Sequence, residues 1–499
     1  MSLQFITGNS GNGKTKYLFN RIVKEAKANP RDNYLVIVPE QFTMQTQRQL
    51  VDLSENKAIM NIDVLSFKRL AYRVFDELGI TNLTVLEETG KNLVLRKLAA
   101  QEADKLGVIG RNLNRIGYIS EVKSLLSELV QYNISPEELG RYIASGRLSD
   151  TLSDKLKDVL VLYEAFEKFM QDKYITAEEI LNVLSNVAEE SAILRNSVIA
   201  FDEFTGFTPI QNQLIKKLFV ISKKIYVTLT IDCREDIFKS RGMQELFDMP
   251  KRTVKSLTEM AAFYGIEVEE PIILDKNYRL SENEELSFME QQLFRKRRHS
   301  FKKAPKHIHI DCLRDPKQEL TKIARRINEL VRNENLRYRD IAIVTGDVNI
   351  YAGYVREIFD KYNIPYFIDA TQEILFHPFI EFIRSIPDIA AQNFSADAVF
   401  RFLRCGFSEL LDSEIDVLEN YVLACGVRGK SAWDKKWVRL PKHKAGYDLE
   451  LLNQSREYIM ELLKPVYQVF SDKKSTVKDY VLAIYKLIVL LDIPCLLYT

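Results

Sequence analysis

A strand-like run, Gln4–Thr7, leads directly into Gly8-Asn9-Ser10-Gly11-Asn12-Gly13-Lys14-Thr15, and no other feature limits the fold of this 499-residue chain as strongly. The spacing G-x-x-x-x-G-K-[ST] has a mechanical meaning only when a strand precedes it and a helix follows, and the amphipathic stretch to about Lys27 supplies that helix. Glycines let backbone N–H groups approach phosphate oxygens, the Lys14 ammonium offsets charge on the β and γ oxygens, and the Thr15 hydroxyl is placed to ligate Mg²⁺. By composition, a chance glycine-rich turn meets this spacing at roughly the few-per-cent level in a chain of this length, before the flanking strand and helix are required. Gly8 to Thr15 are therefore the candidate residues for a nucleoside triphosphate.

The same alternation continues beyond the loop. Tyr34–Val38 and Ile62–Leu65 read as strands separated by helical stretches, the pattern of a parallel sheet built from βαβ units. From about Leu86 to Arg195 helical spacing takes over, as in Leu156, Leu160, Tyr163, Phe166 and Met170. Strand signals return at Ser197–Phe201 and Ile225–Leu229 around a helix from about Pro209 to Phe219, so the helical stretch interrupts the sheet domain. A second α/β unit is expected from His307–Ile310, Asp340–Val344 and Pro365–Ile368, with helices dominating after about Phe379. The length suggests three or four folding units, and 46% apolar content is enough to fill their cores.

Val198-Ile-Ala-Phe-Asp202-Glu203 has the form of a Walker B strand, with two carboxylates at the edge where open α/β sheets receive ligands. Asp202 is expected to hold Mg²⁺ with Thr15, and Glu203 to polarise an attacking water, so Lys14, Asp202 and Glu203 are the candidate catalytic groups. An acidic turn in solvent is the alternative origin of such an ending, and the loop in the same domain favours the functional one. Seventy basic against 69 acidic residues leave no overall basicity, so any nucleic-acid contact has to come from local patches. Cys233, Cys312, Cys405, Cys425 and Cys495 show no ligand spacing, which argues against a disulfide framework, zinc or iron–sulfur site in this stretch and fits a reducing cytoplasm. The run Ile484–Leu491 is broken by Lys486, so no membrane span is expected.

Asp202-Glu-Phe-Thr-Gly-Phe-Thr-Pro-Ile-Gln211 resembles motif II of UvrD-type superfamily 1 DNA helicases, and Asn277-Tyr-Arg279 resembles their motif IV. Val38-Pro-Glu-Gln-Phe-Thr43, Val64–Ala71, Arg337–Asp347 and Ile364–Asp369 are similar to the AddB family, whose members serve in the bacterial ATP-dependent helicase/nucleases that process double-strand breaks. The resemblance covers nearly the whole chain. It implies an α/β fold with two RecA-like parallel-sheet domains and all-helical insertions: domain 1A in residues 1–85 and 196–275, helical domain 1B in 86–195, the first part of domain 2A in 276–380 and part of helical domain 2B in 381–499. It also implies ATP and Mg²⁺ as cofactors, Arg279 as a nucleotide contact, the motor protein AddA as heterodimer partner, single- and double-stranded DNA ends as substrates, and recognition of the recombination hotspot Chi.

By motif match, Gln41, Thr43, Phe67, Arg69 and Tyr72 are the candidate DNA contacts, since aromatic faces stack on unpaired bases while amides and guanidinium groups read their edges. Phe67 also lies on an apolar helical stripe with Leu70, Ala71 and Val74, which suits core packing equally well. The chain departs from active motors in several places. It starts at the loop strand without an adenine-reading glutamine segment, Glu235 stands where motif III carries glutamine, and motifs V and VI are absent. Slow hydrolysis at most is the consequence expected, because transition-state charge is poorly compensated. The basic clusters Arg325-Arg326, Lys302-Lys303 and Arg295–Arg298 are expected to be solvated faces. The nuclease motif and the iron–sulfur cysteines of the family are expected beyond residue 499, and the apolar ending Pro494–Tyr498 is not expected to be a natural terminus. A P-loop NTPase or phosphotransferase of another class, with a helical insertion, is the alternative, as is a scaffold whose loop is vestigial; neither explains Asn277–Arg279.

Overall fold

The computed structural model describes residues 1–499 except 81–83, 109, 111–115, 147, 172–173, 296–298, 371–373, 442–445 and 494–499. The chain folds as two units, Met1–Ile310 and Asp311–Thr499. Nine strands occur among the described residues of the first: β1 (Ser2–Gly8), β2 (Tyr34–Ile37), β3 (Ile62–Leu65), β4 (Val85–Leu86), β5 (Ile175–Thr176), β6 (Val198–Phe201), β7 (Lys224–Thr230), β8 (Glu267–Val268) and β9 (Ile272–Leu274). Seven of them form one wholly parallel sheet in the order β3-β2-β6-β7-β1-β8, with β9 continuing along the same edge of β1. The register pairs Ile6 with Thr228 and Val36 with Ala200, which brings the ends of β1, β6 and β7 to one edge.

Parallel strands covered on both faces need apolar residues at every position, and their alternation divides the side chains between two cores. Val198 and Ala200 face one side with Ile6, Tyr34, Val36 and Tyr226, against Leu18, Phe19 and Ile22 of α1 (Lys14–Ala28) and Leu50 of α2 (Thr43–Leu53). Ile199 and Phe201 face the other side with Leu3, Phe5, Leu35, Ile225 and Val227, covered by α3 (Phe67–Leu78). A separate helical core, from Leu95 to Met170, is built by α4 (Glu88–Gln101), α5 (Ile116–Gln131), α6 (Pro136–Ala144) and α7 (Asp150–Met170). The insertion is not wholly helical as expected: Val85–Leu86 pairs in parallel with Ile175–Thr176, a two-residue ladder too short to leave a periodic signal. Packing returns to the sheet with α8 (Ile180–Val187), whose Ile180 and Leu184 enter the Leu3–Phe201 core, followed by α9 (Pro209–Ile221), α10 (Asp248–Phe263) and α11 (Glu284–Gln292).

Asp311–Thr499 is helical throughout its described residues, with connecting turns. Helices α12 (Pro316–Asn333) and α13 (Val348–Lys361) share a small cluster of Leu320, Ala324, Ile327, Ile358 and Phe359. A larger core joins α14 (Pro378–Ala391), α15 (Ala396–Leu403), α16 (Asp412–Cys425), α17 (Lys430–Trp433), α18 (Leu449–Ser471) and α19 (Val477–Leu490) around the buried Trp433. The second sheet expected from the sequence is not found: His307–Ile310, Asp340–Val344 and Pro365–Ile368 contain no strand, and Tyr338–Asp340 is a 3₁₀ turn. The physical reason is the lack of a ladder. Without a neighbour to bond their backbones these runs stay single, and Ile310, Val344 and Phe367 lie 93%, 92% and 89% exposed.

Candidate nucleotide site

Gly13 caps the N-terminus of α1 in the left-handed region, at φ 78°, and Gly11 adopts φ 87°, conformations that turn the loop back over the helix and favour glycine. The loop ends beside a cleft of about 670 Å³ lined by Gly11, Gly13, Lys14, Thr15, Asp202, Glu203 and Arg279, among others. Strand β6 delivers the carboxylates. Asp202 is 1% exposed and its backbone N–H donates to Ile37 O at 3.1 Å, while α9 starts just beyond with a capping box between Thr208 and Gln211 that fixes the far side of the turn. Between them Glu203 stands at φ 64°, a left-handed conformation rare for a non-glycine residue and characteristic of functional turns.

The Thr15 hydroxyl lies 3.3 Å from both Asp202 Oδ1 and Glu203 Oε1. The Thr228 hydroxyl donates to Asp202 Oδ1, leaving Asp202 Oδ2 buried without a hydrogen-bond partner. Burial pushes the Asp202 carboxyl above the usual carboxylate range, and the charge of Glu203 adds to this, against the hydrogen bonds from Thr228 and Thr15. An unsatisfied carboxylate oxygen beside a threonine hydroxyl fits Mg²⁺, which takes few protein ligands and completes its octahedron with water and phosphate oxygens. No cluster of three or more His, Cys, Asp or Glu able to hold a metal occurs among the described residues. Lys14 Nζ donates to Gly8 O at 3.1 Å and to Asn9 O at 2.9 Å. Burial draws its ammonium below the usual lysine range, partly offset by Glu203 and Asp202.

The remaining loop residues are structural. Asn9 donates to Glu290 Oε1 at 2.8 Å and accepts from Cys233 N at 2.9 Å, Asn12 donates to Leu274 O at 2.5 Å, and Ser10 O accepts from Asn277 at 2.9 Å. Arg279, more than 260 positions along the chain, joins Lys14 and Thr15 in the cleft wall. Thr228, Tyr278, Gln49 and Asp52 also belong to the site, and the sequence reading does not single them out. A hydroxyl inside the otherwise apolar strand Lys224–Thr230 is the available signal for Thr228; Gln49 and Asp52 on α2 leave none.

The five candidate DNA contacts do not form one surface. Phe67 is 7% exposed and packs against Phe201, Phe204 and Phe207 at centroid distances of 5.8, 5.6 and 6.3 Å, so its ring has no face left for a base and the core reading replaces the stacking one. Thr43 is buried, with its hydroxyl on Glu40 O at 3.0 Å. Gln41 and Arg69 are exposed, Arg69 pairing with Glu40 at 3.2 Å, and Tyr72 is 39% exposed one turn further along α3. Glu235 lines a different cleft, of about 540 Å³, and pairs at 2.6 Å with the buried Lys251. Arg325-Arg326 and Lys302-Lys303 are surface groups, Arg326 pairing with Glu329 and Glu334 and Lys303 with Glu284. Arg295 departs from the expected solvated run: its guanidinium donates to Asp232 at 2.9 Å and covers the Phe247 ring at 4.9 Å, because a half-buried carboxylate recruits it. Residues 296–298 of that run, Cys495 and the ending Pro494–Tyr498 lie outside the described residues. The other four cysteines are free, and no described helix is long and apolar enough to cross a membrane.

Comparison with known proteins matches residues 5–290 to the family described as ADDB, N-terminal. The chain is 39% identical over 495 residues to the AddB-type component of the ATP-dependent helicase/deoxyribonuclease of Lachnoclostridium phytofermentans, covering 98% of this chain and 43% of that protein. It is 32% identical over 508 residues to the protein of the same name from Clostridioides difficile, covering 99% and 44%. The chain thus spans less than half the length of these relatives. With the family match extending over more than half of its residues, it belongs to the AddB family.

Proposed function

We propose that this chain binds ATP with Mg²⁺ in the Gly8–Thr15 cleft and forms the RecA-like, nucleotide-binding N-terminal part of an AddB-type helicase/deoxyribonuclease component. The observation that carries this reading is the convergence of Lys14, Thr15, Asp202, Glu203 and Arg279, drawn from three distant stretches of sequence, on one cleft. Loop N–H groups and Lys14 receive the phosphates, Thr15 and Asp202 hold the cation, and Arg279 places a second positive charge on the cleft wall. When bound, Mg²⁺ supplies charge compensation across the phosphate oxygens. Glu203, exposed at the cleft mouth, is placed to orient a water.

Turnover is slow in this reading. Arg279 is the one arginine among the described cleft residues, and Glu235, which would stand in for the coupling glutamine, is engaged by Lys251 in another cleft. The chain then acts as the non-motor partner of AddA at single- and double-stranded DNA ends during break processing, contributing to Chi recognition. Gln41, Arg69 and Tyr72 are its exposed candidates for a single strand, with Phe67 as the core beneath them. Titration of the protein with MgATP, wild type against Lys14→Ala, tests the reading. Binding by the wild type and an affinity lowered at least about tenfold by the variant support it; equal affinities refute it.

A further inference from the structure

We infer that Leu274–Arg279 is a clasp seated on the phosphate loop, and that Asn277 is the positioning residue that holds Arg279 at the nucleotide. This rests on the nucleotide reading above and assigns a role to residues that contact the loop without facing the cleft chemistry. Each of the three loop glycines meets a different part of the segment. A Cβ on Gly8 would lie 2.6 Å from Leu274 O, one on Gly11 would lie 2.8 Å from Asn277 Oδ1 and 2.9 Å from Arg279 Cβ, and one on Gly13 would touch the Tyr278 ring at 3.4 Å. The glycines therefore make room on two sides, for phosphate on one and for this segment on the other.

The seat is hydrogen-bonded along its length. Strand β9 runs beside Ile6–Gly8 and ends at Leu274, whose carbonyl accepts from Asn12. Three residues later, Asn277 Nδ2 donates to Ser10 O at 2.9 Å while its Oδ1 accepts from Leu280 N at 2.9 Å. The backbone N–H groups of Tyr278 and Arg279 both donate to Gly11 O, at 3.0 and 3.3 Å. The Asn277 amide thus closes a turn around Arg279 and pins it to the loop, using both of its functional ends. Consequently the arginine of this site is set by the loop itself, within Met1–Ile310, and its placement does not depend on a second unit closing over the nucleotide.

A double-mutant cycle on the full chain tests the assignment, with MgATP affinity read by isothermal titration and unfolding followed without nucleotide. Losing a hydrogen-bonded pin worth about 1.4 kcal/mol corresponds to a tenfold change. Asn277→Ala is expected to weaken MgATP about tenfold in the wild-type background and less than about twofold in an Arg279→Ala background, because it acts through that arginine. Asn277→Asp, which keeps the acceptor for Leu280 N and loses the donor to Ser10 O, is expected to fall between. Equal losses in both backgrounds, the mark of a general structural role, overturn the inference, as does an Asn277→Ala protein with wild-type affinity. A wild-type protein that binds no MgATP overturns the nucleotide reading and this inference together, which separates that failure from the other two.

Discussion

Ile199 and Phe201 in β6, and Ile343 and Val344 after Tyr338–Asp340, come from runs of nearly the same composition, yet the first pair is fully buried and the second is 43% and 92% exposed. Both runs are followed by helices. The difference lies in what flanks them sideways: β6 is bonded to β2 on one edge and β7 on the other, whereas Ile341–Val344 has no ladder among the described residues. An apolar run states a local preference, but a parallel strand exists only when crossover connections bring a neighbour to each edge. Met1–Ile310 meets that condition and Asp311–Thr499 does not, so the functional cleft, which depends on the ends of β1, β6 and β7 being level, forms in the first.

The sharpest way to break this contrast is to truncate one ring in each region. Phe201→Ala removes a fully buried ring that touches Phe67, Phe204 and Phe207, and it should destabilise the first unit by about 3–5 kcal/mol. Phe367→Ala, at a ring 89% exposed, should shift the denaturant midpoint by no more than about 0.5 kcal/mol equivalent. Similar losses at the two sites, measured by urea unfolding with region-specific probes, would mean that Pro365–Ile368 is packed after all.

Next in size is Gly11→Ala. A left-handed φ costs a non-glycine residue about 1–2 kcal/mol, and the new Cβ would collide with Asn277 and Arg279. MgATP affinity should fall by about tenfold or more, while unfolding of Asp311–Thr499 stays unchanged; an unaffected titration would show that the loop has room this structure does not give it.

Asp202→Asn gives a smaller effect with a defined pH sign. Because burial raises the folded-state pKa of Asp202, its contribution to stability is complete below the ordinary carboxylate value and is lost as pH rises through the raised one. The substitution should therefore raise the unfolding midpoint of the nucleotide-free protein near neutral pH, leave it unchanged in acid, and abolish the Mg²⁺ dependence of nucleotide binding. A midpoint lowered at neutral pH would mean that the ionised carboxylate is stabilised by groups other than those seen here. The smallest effect belongs to Arg326→Ala, whose two exposed ion pairs should contribute within about 0.5 kcal/mol by the same unfolding assay.

How much of the molecule is legible in the sequence follows the same division. The loop, its strand and its helix are local, and so is the Val198–Glu203 ending; each can be read because short-range spacing dictates its geometry. Arg279 is reached through resemblance, and nothing in its spacing indicates that Asn277 and Gly11 meet. Thr228 depends on strand register and Gln49 on how α2 lies beside α1, both of which are tertiary. Phe67 goes the other way: its helical stripe carries the right answer, and the motif match points to the wrong one. The runs at 340–344 and 365–368 show the converse failure, a local signal without the neighbours that would make it structure.

The central claim is that a complete nucleotide site resides in Met1–Ile310, and calorimetric titration of the full chain with ATP in the presence and absence of Mg²⁺ tests it most directly. The account predicts saturable one-to-one binding that weakens when Mg²⁺ is withheld and in both Lys14→Ala and Arg279→Ala proteins. Binding that is indifferent to Mg²⁺ and to both substitutions would contradict it.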